Sequence, residues 1–283
     1  MTSAAQSSYS PVVSTARDYY NSGDADTFYY KVWGGEDIHI GLYRGESEPI
    51  REASRRTVAA MADHLQSIAA HSRVIDLGGA YGGSPRYLAE RFGCQVVSLN
   101  LSEVQNERAR QQTREAGLDD KVTIVDGNFE DIPYEADSFD VVWSQDSFLH
   151  SGDRGRVLEE VKRVLRPGGE LIFTDPMQAE DAARETLQPV LDRIQLESLG
   201  TPAFYEHKAA ELGFEMLAFY DHSDQLPRHY GRVKEELEAR YDELCAEISR
   251  EYLDHMIAGL GHWVDNGRAG NLRWGIFHFR LPA

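Results

Sequence analysis

The chain has 283 residues and a formal net charge of −18, which disfavours a nucleic-acid substrate because a phosphate-binding groove needs a basic patch. Its hydrophobic content of 41% and charged content of 27% are typical of a globular protein, and no apolar run is long enough to cross a bilayer. Cys94 and Cys245 provide neither a disulfide framework nor metal-ligand spacing, so we expect no metal cofactor.

The first eight residues are polar and lack the basic start and apolar core of a signal peptide. We therefore expect a loose tail on a cytoplasmic protein that binds no membrane. The many acids and only five lysines favour a cell that lives in salt, where screening reduces self-repulsion. An ordinary acidic enzyme is the alternative interpretation.

The segment 11–70 precedes the first predicted strand and contains a predicted helix at about 49–69. Within it, the stretch 29–43 combines aromatic residues with glycines. We expect the N-terminal segment to form a helical lid. The stretch 29–43 would fold over a bound ligand, because Gly34, Gly35 and Gly41 allow a loop to move.

The central region alternates predicted strands with predicted helices. This alternation indicates an α/β fold: a Rossmann-like, mostly parallel sheet with helices on both faces. Arg166–Gly169 is a predicted helix stop and turn before the fifth strand. The predicted strands are 74–77, 95–99, 122–125, 139–144 and 170–175, and the predicted helices are 85–92, 104–116 and 154–165.

The last third of the chain predicts a helical insertion before the final strand. A helix around 204–212 leads into a strand at 214–220, and a strand at 274–281 closes the chain. Between them, 232–264 is typical of long helices whose dense charges form a solvated face.

A glycine-rich turn follows the first predicted strand directly. Asp76 ends an apolar run, and Gly78, Gly79, Gly82 and Gly83 follow it before a helix. Such a junction brings backbone N–H groups close to a nucleotide. The dinucleotide spacing G-x-G-x-x-G is absent, and an acid repels phosphate, so the pattern favours a cofactor without a pyrophosphate and with a cationic or amino-acid-like group. The alternative for Asp76 is a turn or capping acid.

Polar residues also follow the next three strands. Asn100 stands where an acid usually holds a ribose, and its amide oxygen can still accept a hydrogen bond. Asn128 and Phe129 suit the edge and face of a purine. The segment 143–150, at the end of the fourth predicted strand, brings polar, aromatic and imidazole groups to the same cleft and ends in His150.

Together these pieces resemble the class I S-adenosylmethionine-dependent methyltransferases across the whole predicted core. A narrower resemblance, from about Tyr29 to the last strand, is to the sarcosine/dimethylglycine N-methyltransferases, which make glycine betaine. The broad resemblance rests on the segments 74–78, 126–133, 137–142 and 163–169, and Asn100 departs from the acid that is usual at its position. The narrower resemblance rests on the segments 29–43, 144–150, 174–177, 262–263 and 267–270.

The resemblance implies S-adenosylmethionine as methyl donor and a small amino-acid-like amine as acceptor, sarcosine and/or dimethylglycine, with glycine betaine as an osmolyte product. Another small amine, or a hydroxyl of a metabolite, is the alternative acceptor. The protein is expected to be a monomer or homodimer, with 1–71 as tail and lid, 72–176 as cofactor-binding core and 177–283 as substrate-side helices and last two strands. The implied cofactor residues are Tyr30, Trp33, Asp76, Gly78, Gly79, Asn100, Gln105, Asn128, Phe129 and Gln145.

An acceptor with a carboxylate calls for an arginine, because arginine binds a carboxylate through two parallel hydrogen bonds. Arg193 is the first choice and Arg228 the second, and an exposed salt bridge is the alternative for either. Aromatic side chains around the acceptor would also suit the quaternary ammonium group that forms when its nitrogen is methylated. The predicted substrate residues are Tyr29, Tyr43, Arg193, Tyr205, His229 and Tyr230.

His150 is the predicted catalytic residue, because the related phosphoethanolamine methyltransferases share the pattern ending in Leu149-His150. It would accept the amine proton or orient the amine, and a structural histidine at a turn is the alternative. Phosphoethanolamine itself would need a basic phosphate pocket, for which the chain has no lysine cluster. A dehydrogenase would need the dinucleotide spacing, and a protein that only binds the cofactor would show no turnover.

Overall fold

A seven-stranded sheet forms the centre of the computed structural model, which describes residues 9–283. The predicted loose tail, 1–8, lies outside the described residues. The strands are β1 (Arg73–Leu77), β2 (Gln95–Asn100), β3 (Val122–Asp126), β4 (Phe139–Gln145), β5 (Leu165–Thr174), β6 (Met177–Gln178), β7 (Glu215–Asp221), β8 (Leu272–Arg273) and β9 (Gly275–Arg280). The order is β3-β2-β1-β4-β5-β9-β7, and β6 pairs with β8 in a separate small sheet.

Helices cover the sheet and extend beyond it. They are α1 (Pro11–Asn21), α2 (Gly23–Phe28), α3 (Ile50–His64), α4 (Gly83–Phe92), α5 (Glu103–Glu115), α6 (Arg154–Val164), α7 (Arg184–Asp192), α8 (Pro202–Glu211), α9 (Gln225–Ala239), α10 (Tyr241–Leu244) and α11 (Arg250–Arg268), with a π-helical turn at Tyr29–Trp33 and a 3₁₀ turn at Phe148–His150. Within residues 9–283, none of them combines the length and apolarity required to span a bilayer.

Strand pairing confirms the predicted Rossmann-like arrangement. The strands from β3 to β5 are parallel, and β9 is antiparallel to both of its neighbours. β1 and β4 are buried almost throughout, as expected for strands covered on both faces. Because the chain passes from β1 to β2 on one side and β4 lies on the other, their carboxyl ends flank the crevice where such sheets bind ligands.

The structure differs from the sequence expectations at several element boundaries. The helix predicted at 49–69 ends at His64, and the turn predicted at 166–169 is a bulge inside β5. Gly168, at φ +82°, supplies the left-handed backbone for this bulge. Gly41 is needed for packing rather than for motion, since an added Cβ would lie 2.6 Å from the Cβ of Ala53.

The N-terminal helices confirm the predicted helical lid, although α1 and α2 were not placed individually. One sequence signal for α1 is present. Ser10 caps α1 by accepting a hydrogen bond from the Val13 N–H at 3.3 Å, and Pro11 follows it at the first helical position. α1 packs on α5 and on the 3₁₀ turn at Phe148–His150. This contact brings the N-terminal segment over the crevice.

One buried carboxylate fastens β5 to β9. Glu170 is fully buried, and its Oε2 accepts from His278 Nε2 at 2.7 Å and from the Gln66 N–H at 3.0 Å. Burial alone would raise the pKa of Glu170, but His278, the Ser67 hydroxyl and the Gln66 N–H lower it to about 2.

Replacing Glu170 with glutamine is expected to lower the free energy of unfolding at pH 7 by roughly 2–4 kcal/mol, because it breaks a buried charged network. Since the folded-state pKa lies below the ordinary value, this stabilisation is present above pH 4.5 and is lost as the pH falls toward 2. Urea unfolding of the unmodified protein and of Glu170→Gln at pH 7 and pH 3 measures this difference in the free energy of unfolding. The control is Glu235→Gln, whose side chain is 64% exposed; equal effects of the two changes would contradict the prediction.

Candidate functional site

The carboxyl ends of β1, β2 and β4 border a cavity with about 640 Å³ of free space, which we call the central cavity. Its wall combines apolar side chains with amide, carboxylate and imidazole groups. The lining residues are Val13, Ala16, Tyr20, Ile38, His39, Gly78, Ala80, Asn100, Leu101, Gln105, Asn128, Phe129, Gln145, Asp146, Ser147 and His150.

The glycine turn lies close against the ends of the neighbouring strands. Gly78 has φ +83°, and its N–H donates to the Leu99 carbonyl at 2.8 Å. An added Cβ would lie 2.2 Å from Ser147 Oγ at Gly78 and 2.1 Å from Ser98 Oγ at Gly79. Both positions therefore require glycine, and the turn leaves the space of the central cavity open above the sheet.

Asp76 lies at the end of β1 and is 2% exposed. Burial raises its pKa well above the ordinary value, and the nearby Asp37 raises it further; no hydrogen bond among residues 9–283 offsets these effects. The pKa of Asp37 is also raised by burial, to about 6, although Arg55 Nε lies 2.9 Å from its Oδ2. A cationic group beside Asp76 would relieve this unfavourable burial.

Two amide groups present unused donors to the central cavity. Gln145 Oε1 accepts from Ser84 Oγ at 2.6 Å and from Trp143 Nε1 at 3.2 Å, which leaves its buried Nε2 without a partner among residues 9–283. Gln105 Oε1 accepts from Asn100 Nδ2 at 3.1 Å, and Gln105 Nε2 is likewise unpartnered. Buried donors of this kind are normally satisfied, so the cavity is built for a ligand that carries hydrogen-bond acceptors.

Asp146 is a cavity residue that the sequence prediction missed. Its φ is +50°, an unusual conformation for a residue other than glycine, and its carboxylate accepts from the Ile40 N–H at 2.7 Å and from Trp274 Nε1 at 2.8 Å. Burial raises the pKa of Asp146 to about 6. Its position directly after β4 is the sequence signal that could have identified it.

His150 lies on the wall of the central cavity, where Tyr20 contacts it from α1. The Tyr20 hydroxyl is 2.8 Å from His150 Nε2, and the two rings meet edge to face at 5.1 Å. Burial, with Arg154 and Arg193 nearby, lowers the pKa of His150 to about 3, so its imidazole is neutral at physiological pH. Tyr20 was not predicted, because α1 was not.

Hydrogen bonds to the backbone N–H and carbonyl of Leu149 fix the turn that carries His150. The Leu149 N–H donates to Asp175 Oδ1 at 2.9 Å, and Arg154 donates to the Leu149 carbonyl at 2.9 Å. Tyr205 donates to the other oxygen of Asp175 at 2.7 Å. The predicted substrate residue Tyr205 therefore supports the turn and does not line the central cavity.

Arg193 is enclosed by aromatic rings in a group that we call the Arg193 cluster: Arg193, Trp33, His229, Tyr230 and Trp263. The arginine is 2% exposed, and its Cζ lies 5.1–5.8 Å from the ring centres of Tyr230, Trp263 and Trp33. Its Nε and Nη1 have no hydrogen-bond partner among residues 9–283. A buried guanidinium without a partner is costly, which indicates that an anion completes the cluster.

Two further donors of the cluster lack acceptors. His229 Nδ1 accepts from the Gly41 N–H at 3.1 Å and lies 2.9 Å from the Tyr43 hydroxyl, so the neutral ring carries its proton on Nε2. Neither that Nε2 nor Trp33 Nε1 has a partner in the described part of the chain. Burial, with Arg193 close by, lowers the pKa of His229 to about 3. A group of donors without an acceptor suits a carboxylate.

Aromatic rings link the Arg193 cluster to the central cavity. Tyr20 lies 5.4 Å from Tyr29, and Tyr29 lies 5.2 Å from Trp33, between ring centres. Arg193 contributes to the low pKa of His150, which places its charge within electrostatic reach of the cavity wall.

The structure brings most of the predicted site residues into two groups. Asp76 and Gly79 are not part of the central-cavity wall, and Tyr205 supports the turn at Leu149. Gly78, Asn100, Gln105, Asn128, Phe129, Gln145 and His150 line the central cavity, and Trp33, Arg193, His229 and Tyr230 form the Arg193 cluster with Tyr29 and Tyr43 in contact with it. Tyr30 is 38% exposed and packs on Arg108. Neither Tyr30 nor Trp33 is among the residues that line the central cavity. Ile38, His39 and the α1 residues cover the cavity instead. Arg228 lies outside the cluster, with Nη1 3.4 Å from the Tyr43 carbonyl.

Comparison with known proteins extends these observations. Residues 75–173 match the family described as methyltransferase domain. The chain is 58% identical over 268 residues to a sarcosine/dimethylglycine N-methyltransferase of Halorhodospira halochloris, covering 95% of this chain and 96% of the relative. It is 52% identical over 271 residues to a sarcosine/dimethylglycine N-methyltransferase of Aphanothece halophytica, covering 96% of this chain and 98% of the relative. The crystal structure of a candidate sarcosine dimethylglycine methyltransferase from Galdieria sulphuraria has 42% identity and a TM-score of 0.88, covering 93% and 99%.

Proposed function

The chain belongs to the family of sarcosine/dimethylglycine N-methyltransferases, and we propose that it transfers the methyl group of S-adenosylmethionine to the nitrogen of sarcosine and dimethylglycine, giving glycine betaine as an osmolyte. The observation that carries the proposal is the buried Arg193, whose Nε and Nη1 have no partner among residues 9–283, together with the cavity at the carboxyl ends of β1, β2 and β4. The proposal includes a division into tail and lid (1–71), cofactor-binding core (72–176), and substrate-side helices with the last two strands of the sheet (177–283).

The central cavity supports S-adenosylmethionine as the bound donor. Asn128 and Phe129 would hold the adenine, Asn100 and Gln105 the ribose, and Gln145 Nε2 would donate to the carboxylate of the methionine part. Asp76, behind the glycine turn, would attract the ammonium group. When bound, the donor supplies an electrophilic methyl group on a positively charged sulfur.

Asp76→Ala is expected to weaken binding of S-adenosylhomocysteine by roughly 10–100-fold, because the carboxylate that would attract its ammonium group is removed. Isothermal titration calorimetry measures the effect. The matched control is Asp63→Ala, whose carboxylate is 63% exposed and pairs with Arg91 on the surface. Unchanged affinity in Asp76→Ala would show that the cofactor site is misplaced.

The Arg193 cluster supports an acceptor with a carboxylate. Arg193, His229 Nε2 and Trp33 Nε1 would together satisfy its oxygens, and those oxygens would in turn compensate the buried guanidinium. The linking rings of Tyr20, Tyr29 and Trp33 would surround the nitrogen, whose cationic methylated product favours aromatic faces.

Alignment of the acceptor nitrogen is the main catalytic task, because the methyl donor already carries a good leaving group. The neutral His150 would hold the Tyr20 hydroxyl in place, and that hydroxyl would orient the nitrogen lone pair. With a pKa of about 3, His150 is too weak a base to hold a proton taken from an ammonium group, so we infer that the amine reacts in its neutral form. Asp146 would stabilise positive charge near the reacting atoms.

A methyl-transfer assay with glycine, sarcosine and dimethylglycine side by side tests the proposal. We expect turnover of sarcosine and dimethylglycine, with betaine detected by mass spectrometry. Absence of turnover on all three amines would overturn it. Transfer instead to an amine without a carboxylate would favour the alternative acceptor and leave the Arg193 cluster without its proposed role.

A further inference from the structure

A second cleft lies on the opposite side of α1 from the central cavity. In the part of the chain that the structure describes, this outer cleft is open to solvent and has about 1150 Å³ of free space. One face of α1, with Val13, Ala16 and Tyr20, lines the central cavity, and the face with Thr15, Asp18 and Tyr19 lines the outer cleft.

Arg193 belongs to the wall of the outer cleft and not to that of the central cavity. The cleft also contains Asp18 and Asp24, so acidic residues share its wall with Arg193, whose guanidinium is enclosed by aromatic rings. A small zwitterion carries both complementary charges. Its ammonium is attracted by the acids, and its carboxylate is attracted by Arg193, whose Nε and Nη1 have no partner among residues 9–283.

A thin layer of tyrosines separates the outer cleft from the linking rings of the site. The Tyr19 hydroxyl lies 3.1 Å from that of Tyr252 and 3.4 Å from that of Tyr29. Neutral hydroxyl pairs of this kind contribute only about 1 kcal/mol each. The Tyr19 ring also meets Tyr20 and Tyr29 edge to face at 5.0 and 6.3 Å between ring centres, so the layer opens only where these ring contacts part.

We propose that the outer cleft is the access route and first binding subsite of the zwitterionic amino-acid acceptor, separate from the mouth through which the nucleotide enters. The inference rests on the proposed function. A nucleotide in the central cavity would occupy the space beside His150, whereas the outer cleft leads to Arg193 from the other side of α1. The acceptor can then bind, and the product can leave, while the nucleotide site stays filled.

Binding kinetics of the unmodified enzyme test the separate route. Trp33 and Trp263 lie beside Arg193, so stopped-flow tryptophan fluorescence reports the arrival of dimethylglycine. We expect its association rate constant to agree within about twofold between free enzyme and enzyme saturated with S-adenosylhomocysteine. Binding that waits for S-adenosylhomocysteine to dissociate would overturn the proposal. Failure of the proposed function would be seen separately, as no turnover of glycine, sarcosine or dimethylglycine in the methyl-transfer assay.

Blocking the outer cleft gives a second test. His255→Trp should lower kcat/KM for dimethylglycine by about 10-fold and leave the affinity for S-adenosylhomocysteine within twofold, because only the acceptor passes this wall. His262→Trp, an exposed position one heptad along α11 and outside the cleft, should change neither value. His255→Ala removes the contact between His255 Nε2 and the Arg193 carbonyl at 3.1 Å without adding bulk. An unchanged kcat/KM in His255→Trp, an equal loss in His255→Ala, or a parallel loss of nucleotide affinity would overturn the proposal.

Discussion

Replacing Arg193 with methionine is expected to lower kcat/KM for dimethylglycine by roughly 10²–10³-fold without lowering the free energy of unfolding. The catalytic loss follows because the acceptor carboxylate would lose a buried, charge-assisted partner. The stability should stay equal or rise, since the unliganded protein buries this guanidinium without a partner among the described residues, and methionine fills similar space without a charge. Steady-state kinetics and urea unfolding of the ligand-free proteins measure the two effects.

A comparison of acceptors separates carboxylate recognition from general damage. The unmodified enzyme should strongly prefer dimethylglycine to dimethylaminoethanol, which has a hydroxyl in place of the carboxylate, and Arg193→Met should lose most of this preference. Arg163→Met is the control, because Arg163 pairs with the buried Glu160 at 2.6 Å. It should lower stability and leave the preference unchanged. Loss of both activity and stability in Arg193→Met, with the preference intact, would show a structural arginine.

Removing either member of the Tyr20–His150 pair is expected to lower kcat by about 10²-fold, because a misplaced nucleophile loses alignment with the methyl group. If the two side chains act as a unit, the double variant Tyr20→Phe/His150→Ala should be about as slow as each single variant. Single-turnover kinetics with dimethylglycine measure the chemical step. Tyr241→Phe, which removes an exposed hydroxyl bonded to Asp254, is the control and should have no effect.

The pH profile distinguishes orientation from base catalysis by His150. Since the pKa of His150 is about 3, its protonation does not change in the neutral range. The rise of kcat/KM with pH should therefore follow the amine of the acceptor, and should move when sarcosine replaces dimethylglycine. If kcat/KM instead rises at the same pH for both acceptors, and this rise disappears in His150→Ala, His150 is the base. A near-normal rate in His150→Ala would remove it from the mechanism.

Several residues of the central-cavity wall could be located from the sequence because they follow strands directly. Gly78, Asn100, Asn128 and Gln145 each lie at or just after the carboxyl end of a strand, so recognising the parallel strands already places them at one edge of the sheet. The cover was predicted less well. Tyr30 and Trp33 share the 29–43 stretch with Tyr43, but the π-helical turn at Tyr29–Trp33 directs Trp33 toward Arg193 and leaves Tyr30 on the surface.

The sequence by itself determined the parallel sheet, the glycine turn and the family, because strand periodicity, tight turns and motif spacing are local properties of the chain. Only the tertiary structure decided which groups meet across long separations. Tyr20 reaches His150 over 130 positions, and three distant segments supply the four donors at Trp33, Arg193 and His229 that have no partner among residues 9–283. Their proposed function depends on burial and on the lack of an acceptor in this described part of the chain, and both are properties of the packed molecule rather than of any segment.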